Sequence, residues 1–225
     1  MRLAIIVPCL NEAERISASL TPLQSLRRDG HEVIVVDGQS KDETARLAAP
    51  LADQVITSQR GRALQMNAGA AVSAAEVLLF LHADTQLPAQ AVQSLREALA
   101  EGDRHWGRFD VQLSGGGPWL RLIAFMMNWR SRISGIATGD QAVFVRRALF
   151  EQVGGFPAID LMEDIALSRL LKRYSRPACL KQTVITSSRR WEQQGVWRTI
   201  TLMWRLRLAY FFGVDPARLK RRYYS

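Results

Sequence analysis

The chain has 225 residues, 48% hydrophobic and 23% charged, enough to build a core and too apolar for bulk disorder. Cys9 and Cys179 are its only cysteines and His31, His82 and His105 its only histidines, which excludes a disulfide framework, a multi-cysteine metal cluster and an H-E-x-x-H zinc site. The formal net charge is +9, and nine of the 30 basic residues fall between Arg189 and Arg222 with only Glu192 and Asp215 against them, a basic tail suited to phosphate, anionic lipid or nucleic acid.

Leu3–Val7 reads as a short buried strand, since a secretory leader would carry a longer apolar run and a small-residue cleavage site. Asn11 is an N-cap candidate for a helix over Glu12–Arg28, with Ile16, Leu20, Leu23 and Leu26 on one side. A second strand, Glu32–Val36, ends at Asp37-Gly38. A short helix over Asp42–Ala49, a weak strand over Gln54–Thr57 and an alanine-rich helix over Arg62–Ala75 follow. The strand Val77–Leu81 ends at His82-Ala83-Asp84, and Pro88 opens a helix over Ala89–Glu101. Such alternation implies right-handed crossovers and a parallel sheet, in which ligands bind beyond the carboxyl ends of the strands. Three polar clusters fall at such ends: Pro8 to Glu12, Asp37 to Asp42, and His82 to Thr85.

The second half begins with a strand-like Trp106–Leu113 and a Gly115-Gly116-Gly117 loop. Trp119–Ile133 is apolar but carries Arg121, Arg130 and Arg132. A strand over Gln141–Val145, helices near Arg147–Val153 and over Glu163–Lys172, and short strands over Ala178–Lys181 and Val184–Thr186 precede a long helix over Gly195–Phe212. No run reaches about 18 uncharged apolar residues, so no spanning helix is expected. These features suggest a cytoplasmic chain, peripheral at the inner face of the membrane if the C-terminal helix meets lipid. Trp197, Trp204, Arg205, Arg207, Tyr210 and Phe211 give that helix the aromatic and basic mixture of an anionic membrane interface or of an acceptor-facing surface. Trp119–Arg132 suits core packing or a homodimer face equally well.

There is no G-x-x-x-x-G-K-[ST], no G-x-G-x-x-G after the first strand and no G-x-S-x-G, which argues against a P-loop enzyme, a dinucleotide-binding Rossmann domain and a serine hydrolase. What is present is an ordered series. It runs Ile6-Val7-Pro8-Cys9-Leu10-Asn11-Glu12, Val36-Asp37-Gly38-Gln39-Ser40, Arg60-Gly61-Arg62 through Asn67-Ala68-Gly69, and His82-Ala83-Asp84. It continues with Gly139-Asp140-Gln141, Gly154-Gly155-Phe156-Pro157, Glu163-Asp164 and Arg189-Arg190-Trp191. Each motif alone is weak. Together, over nearly the whole chain, they resemble glycosyltransferase family 2, and within it short bacterial members associated with radical-SAM genes and arsenosugar biosynthesis.

The resemblance implies an α/β fold of the GT-A type, with a mostly parallel central sheet, flanking helices and a C-terminal helical appendage. Residues 1–190 would form the transferase domain, with a donor half to about 105 and an acceptor half beyond it. Residues 191–225 would form a basic, aromatic helix and tail. The implied reaction is inverting transfer from a nucleotide-diphosphate sugar, UDP-linked before GDP-linked, to a hydroxyl of a small-molecule or lipid-linked acceptor. Asp164 would be the general base and Glu163 its support, although two acids also suit a helix N-terminus.

On the donor side the resemblance implies Pro8, Asn11 and Glu12, with Asp37 on the nucleoside, where an Asx-turn alone would also explain Asp-Gly. Arg60 and Arg62 would face phosphate at a helix N-terminus, or serve as surface arginines beside a turn. Asn67 and Gly69 fall inside that helix, where close packing on the sheet explains them as well. Asp84 would hold Mg²⁺ or Mn²⁺ on the donor diphosphate. The family's usual Asp-x-Asp is His82-Ala83-Asp84 here, so the first carboxylate is missing, and His82 would contact the donor or fill the strand end. Arg190 would offset charge on the leaving diphosphate. Asp140, Gln141 and Trp191 would lie on the acceptor side. Two other classes fit less well. A nucleotidyltransferase would need a glycine- and lysine-rich loop that Pro8–Glu12 lacks, and a nucleic-acid-binding protein would need a recognition motif that the tail lacks.

Overall fold

A computed structural model describes residues 1–100 and 102–223, apart from the side chains of Arg190 and Gln194. The chain order begins β1 (Leu3–Cys9), α1 (Ile16–Leu20), α2 (Gln24–Arg28), β2 (Glu32–Asp37), α3 (Thr44–Ala48), β3 (Gln54–Thr57), α4 (Arg62–Val72), β4 (Val77–Phe80), β5 (Thr85–Gln86) and α5 (Ala91–Ala100). It continues β6 (Trp106–Leu113), α6 (Pro118–Ser134), β7 (Phe144–Arg146), α7 (Arg147–Gln152), α8 (Glu163–Leu171), β8 (Ala178–Thr186), α9 (Arg189–Gln194), α10 (Val196–Phe211) and α11 (Pro216–Tyr223).

The eight strands form one sheet in the order β3-β2-β1-β4-β7-β6-β8-β5. The first four pair in parallel, as the alternation of strands and helices requires. Beyond β4 the sheet is mixed: β7 runs antiparallel to β4 and β6, β8 parallel to β6, and β5 antiparallel to β8. Every residue of β1, β2 and β4 is buried, because helices cover both faces of a parallel sheet. Alternate residues of β1 divide between two cores. Leu3, Ile5 and Val7 meet Ile16, Leu20 and Leu95, while Ala4 and Ile6 meet Ala63, Met66 and Phe150. Pro8 is tolerated inside β1 because the ladder to β4 ends at Ile6–Phe80, where no further donor is needed.

The expected helix over Glu12–Arg28 is broken. A 3₁₀ turn at Thr21–Leu23, with Pro22 in its first positions, separates α1 from α2, since proline cannot donate to a continuing ladder. Asn11 does not cap this segment: its backbone has φ 54° and its side-chain Oδ1 accepts the Lys41 N–H at 2.8 Å. The helix expected to Ala75 ends at Val72, and the one expected from Ala89 begins at Ala91, with Glu101 outside the described residues. The two short strands expected after Ala178 are one strand, β8, in which the exposed Lys181 and Gln182 form a bulge: pairing with β6 passes from Phe109–Leu180 to Asp110–Thr183 and leaves the two residues between without a partner there. Neither α9 nor α11 shows in the sequence pattern. Leu206 of α10 and Leu219 of α11 pack with Met162 and Ile165, which ties the C-terminal helices to the start of α8. Among the described residues no helix is long and apolar enough to cross a membrane.

Candidate active site

The carboxyl ends of β1 and β2 form a tied platform. Gln65 of α4 is buried and its Nε2 donates to the carbonyls of Cys9 and Val36, each at 2.8 Å. Gly69, one turn on, has no room for a side chain: a Cβ there would lie 2.5 Å from Ile6 Cγ2 and 2.9 Å from Val36 Cγ2. Its role is close packing. Asp37 is 5% exposed and accepts the Ser40 N–H at 3.0 Å and the Ser40 hydroxyl, so it closes a turn. Ser40 Oγ accepts the Asn11 N–H at 2.8 Å, which joins the two loops. Burial, and then the charges of Asp37, Glu12 and Asp42, push the Cys9 thiol up to about 12, so it stays protonated and is no nucleophile.

A cleft of about 260 Å³ opens beside this platform. Arg62, His82 and Asp84 line it from the parallel half; Gly139, Asp140, Glu163 and Asp164 from the mixed half; Arg189, Trp191, Met203, Arg207 and Tyr223 from the C-terminal helices. The His82 ring crosses Gly139 so closely that a Cβ there would sit 2.4 Å from Nε2, and its Nδ1 lies 3.3 Å from Asp140 Oδ1. Asp164 Oδ2 accepts the Gly139 N–H at 2.9 Å, and its Oδ1 accepts the Ile165 N–H at 2.7 Å. One carboxylate is thus oriented by the backbone of the neighbouring Gly139-Asp140 turn.

The charges fall into two groups. At the β1 end, burial raises the Glu12 carboxyl above its ordinary range, nearby Arg15 opposes this, Asp84 adds to it, and Arg189 lowers it again. At the α8 end, burial and then the neighbouring Asp164 raise Glu163, against Arg62 and His82. Asp140 lies below the ordinary range, because the His82 hydrogen bond, His82's charge, Arg62 and Arg207 together outweigh the desolvation that opposes ionisation. Burial lowers Arg207, and Asp164 and Asp140 pull it back. Four residues other than glycine hold positive φ among the described residues: Asn11, Gln39, Ala142 and Met162. Each follows a strand end or flanks the cleft carboxylates, where such strain tends to collect.

The cleft brings together Arg62, His82, Asp84, Asp140, Glu163, Asp164 and Trp191 of the expected residues. Pro8 and Asp37 are buried at the platform, Glu12 lies within electrostatic reach of Asp84, and Arg60 is exposed outside the cleft. Gln141 is a correction: it is fully buried, and its Oε1 accepts the Thr138 N–H at 3.2 Å, which makes it part of the turn and not of an acceptor surface. Its expected strand starts only at Phe144. The Arg190 side chain lies outside the described residues, while Arg189 lines the cleft. Asn67 clamps the Gly-Gly-Phe-Pro loop to α4: its Nδ2 donates to the Phe156 carbonyl at 2.8 Å and its Oδ1 accepts the Phe156 N–H at 2.9 Å. Met203 and Arg207 enter the site from α10 and Tyr223 from α11.

The residues fit a divalent metal in a limited way. Asp84 offers one exposed carboxylate in the cleft, and among the described residues no group of three or more His, Cys, Asp or Glu side chains could hold an ion. A hard cation arriving with a diphosphate and keeping water needs no larger protein set.

The family model described as glycosyl transferase family 2 matches residues 4–154, and the chain belongs to that family. A protein of Mycobacterium tuberculosis (strain H37Rv), named only as an uncharacterized glycosyltransferase, is 30% identical over 131 residues, 57% of this chain and 58% of that protein. The chain therefore aligns with well under two thirds of the length of its curated relatives. Among solved structures, S. aureus TarS 1-349 in complex with UDP-GlcNAc matches with a TM-score of 0.65 at 20% identity, over 83% of this chain and 58% of that one. The mannosyltransferase PcManGT from Pyrobaculum calidifontis, in complex with GDP-Man and Mn²⁺, matches with a TM-score of 0.65 at 24% identity, over 92% of this chain and 61% of that one. The fold is of the GT-A type.

Proposed function

We propose that the chain is a glycosyltransferase that moves a sugar from a nucleotide-diphosphate donor to an acceptor hydroxyl with inversion, using Asp164 as the general base. The observation that carries this reading is the Asp164 carboxylate, aimed by the Gly139 N–H into the cleft that Asp84 shares. In this reading the donor's nucleoside lies on the platform that Asp37, Ser40 and Asn11 hold together. Asp84 would hold a divalent cation with the diphosphate, which supplies charge neutralisation for the leaving group. Arg189 adds positive charge on the same side, while Arg62 lines the cleft and acts on Glu163 and Asp140. Asp164 takes the proton of the acceptor hydroxyl as its oxygen bonds to the anomeric carbon and the bond to the diphosphate breaks. Glu163, buried and raised above its ordinary range by burial and by Asp164, stands beside the base in support.

The nucleotides and Mn²⁺ named with the two solved structures support a nucleotide-sugar donor and a divalent metal. A thermal-shift screen of UDP and GDP with and without Mn²⁺ tests the reading. Metal-dependent stabilisation by one of them, lost in Asp84→Asn, is expected. A folded protein indifferent to every nucleotide diphosphate would sink it.

A second observation bears on the acceptor. Helices α6 and α10 turn helically spaced apolar residues outward: Leu122, Phe125, Trp129 and Ile133 on one, Trp197, Trp204, Leu208 and Phe211 on the other. Trp119 and Trp197 meet edge to face at 5.2 Å and join the two stripes, with Arg121, Arg198 and Arg205 exposed beside them. This face suits an anionic lipid surface and a lipid-linked acceptor. Cosedimentation with phosphatidylglycerol vesicles, lost in a Trp204→Ser, Phe211→Ser variant, is the expected result. Vesicle-free supernatants with a dimeric mass would turn the face into a homodimer contact. Monomeric supernatants would favour the small soluble acceptor suggested by the likeness to members associated with radical-SAM genes.

A further inference from the structure

We infer that the α8 end of the cleft contains a subsite for an anionic group of the acceptor, a phosphate or carboxylate, at Arg207 of α10 beside Asp164, with the buried Arg130 of α6, which does not itself line the cleft, as its second cation. The inference rests on the transferase reading above and deepens it by naming a chemical property of the acceptor.

The first observation is an unmet need for an anion. Arg130 Nε and Nη2 are buried and have no hydrogen-bond partner among the described residues. Other buried guanidinium groups show how the fold normally meets that need. Arg108, with no side-chain exposure, donates to Ser131, Asp110 and the Asn128 carbonyl. Arg147 leaves one nitrogen unpartnered but donates from the others to Ala75, Ala70 and Glu151. Arg130 is different: two of its desolvated guanidinium nitrogens have no hydrogen-bond partner, an arrangement that costs stability and is retained where a ligand completes it.

The second observation is position. Arg207 lines the cleft, and Asp164 is the leading charge that favours its ionised form. Arg130 stands within electrostatic reach of Arg207, Arg108 and Asp164. Burial first, then its cationic neighbours, bring the Arg130 guanidinium down to about 10, still charged at neutral pH. The nearby acids do not cancel this pair: Asp140 is engaged by His82 and reaches Arg207, and Asp164 is one carboxylate facing two guanidinium groups.

The third observation separates this pair from the donor phosphates. Arg189 and Asp84 act on Glu12 at the β1 end, whereas Arg130 and Arg207 act with Asp164 at the α8 end. An anion held by the second pair would sit next to the base and would carry or adjoin the attacking hydroxyl. Guanidinium groups suit phosphate and carboxylate because their planar donors match two oxygens at once.

Calorimetric titration of the full chain, with and without UDP and Mn²⁺, tests this with inorganic phosphate and glycerol 3-phosphate as probes and glycerol as the neutral control. Both anions are expected to bind and glycerol to give no heat. Arg207→Gln is expected to weaken anion binding about tenfold or more, the scale of a lost charge-assisted contact. Arg130→Met should weaken it as much and raise the melting temperature of the ligand-free chain, because it removes a buried charge without a partner. A purely structural Arg130 would lower the melting temperature instead. Anions that fail to bind, or bind equally to wild type and Arg207→Gln, overturn the subsite even if Arg130→Met does not fold. Nucleotide binding read on the same samples keeps the two claims apart: anion binding lost with nucleotide binding intact defeats only the subsite, and the reverse defeats only the donor reading. Monomeric dihexanoyl phosphatidic acid binding more tightly than glycerol 3-phosphate assigns a lipid phosphate; equal or weaker binding assigns a soluble one.

Discussion

Along β1, β2 and β4 every residue is buried, and the loops at their ends are tied by Gln65, Ser40 and Asn11. Helices α6 and α10 behave differently, and α10 closes the other side of the cleft. Of the described side chains of α10, Thr199 and Leu206 are buried, and α6 exposes Phe125 and Trp129 while Arg130 is left with two buried nitrogens unpartnered. The contrast separates what must be rigid from what awaits a partner. A platform whose polar groups are already paired can receive a nucleotide with little rearrangement, so less binding energy is lost to ordering. The helical side keeps apolar surface and positive charge unspent.

Substitutions on the two sides should therefore fail in different ways. The largest effect belongs to the base: Asp164→Asn should lower transfer by about 10²–10⁴, the range for a general base, with nucleotide binding retained. Steady-state rates with the preferred donor check it, and undiminished transfer would remove Asp164 from the role. On the platform, Gly69→Ala should cost about 1–3 kcal/mol through overpacking against Ile6 and Val36, read by denaturant unfolding. Asn67→Ala breaks the clamp between α4 and the Phe156 loop and should cost about 1–2 kcal/mol by the same measurement, with transfer falling as the loop before α8 loosens. The smallest effect is a pH dependence. The folded chain raises the Glu163 carboxyl, so the native state holds its proton more tightly than the unfolded chain, and stability falls as pH rises from the ordinary glutamate range through the raised value. Glu163→Gln should melt above wild type at neutral pH, with each kcal/mol worth about 2–4 °C, and the gap should close in acid. A gap constant with pH would show that ionisation is not its cause.

The platform was legible because β-branched runs bounded by Asp-Gly and His-Ala-Asp report buried strands and their ends directly. Asp84, Asp140, Glu163 and Asp164 meet in the cleft as their order along the sheet suggests. Gln141 could not be sorted from Asp140 by spacing, since the αL backbone at Ala142 (φ 44°) decides which side chain turns inward. For Arg207 the sequence left an interfacial and an acceptor-facing role open, for a physical reason. Helix α10 is apolar on more than one side: Leu202 and Leu206 pack inward, Thr199, Met203 and Arg207 line the cleft, and Trp197, Trp204, Leu208 and Phe211 face out. An amphipathic pattern shows two faces but not which one is inside. Pro22, by contrast, stood in the sequence as a sufficient reason to divide the first helix.

The amide of Gln65 has a consequence for how this chain can change over generations. Gln to Glu needs only a single base change and alters neither length nor shape, so it would ordinarily count among the mildest mutations. At position 65 it would set a carboxylate against the carbonyl oxygens of Cys9 and Val36, with a donor only in its protonated form, and would drive apart the two strands on which the platform is built. Asn is chemically suitable but one methylene short. The pin that fixes the spacing of the two strand ends thus has almost no neighbouring sequence to move to.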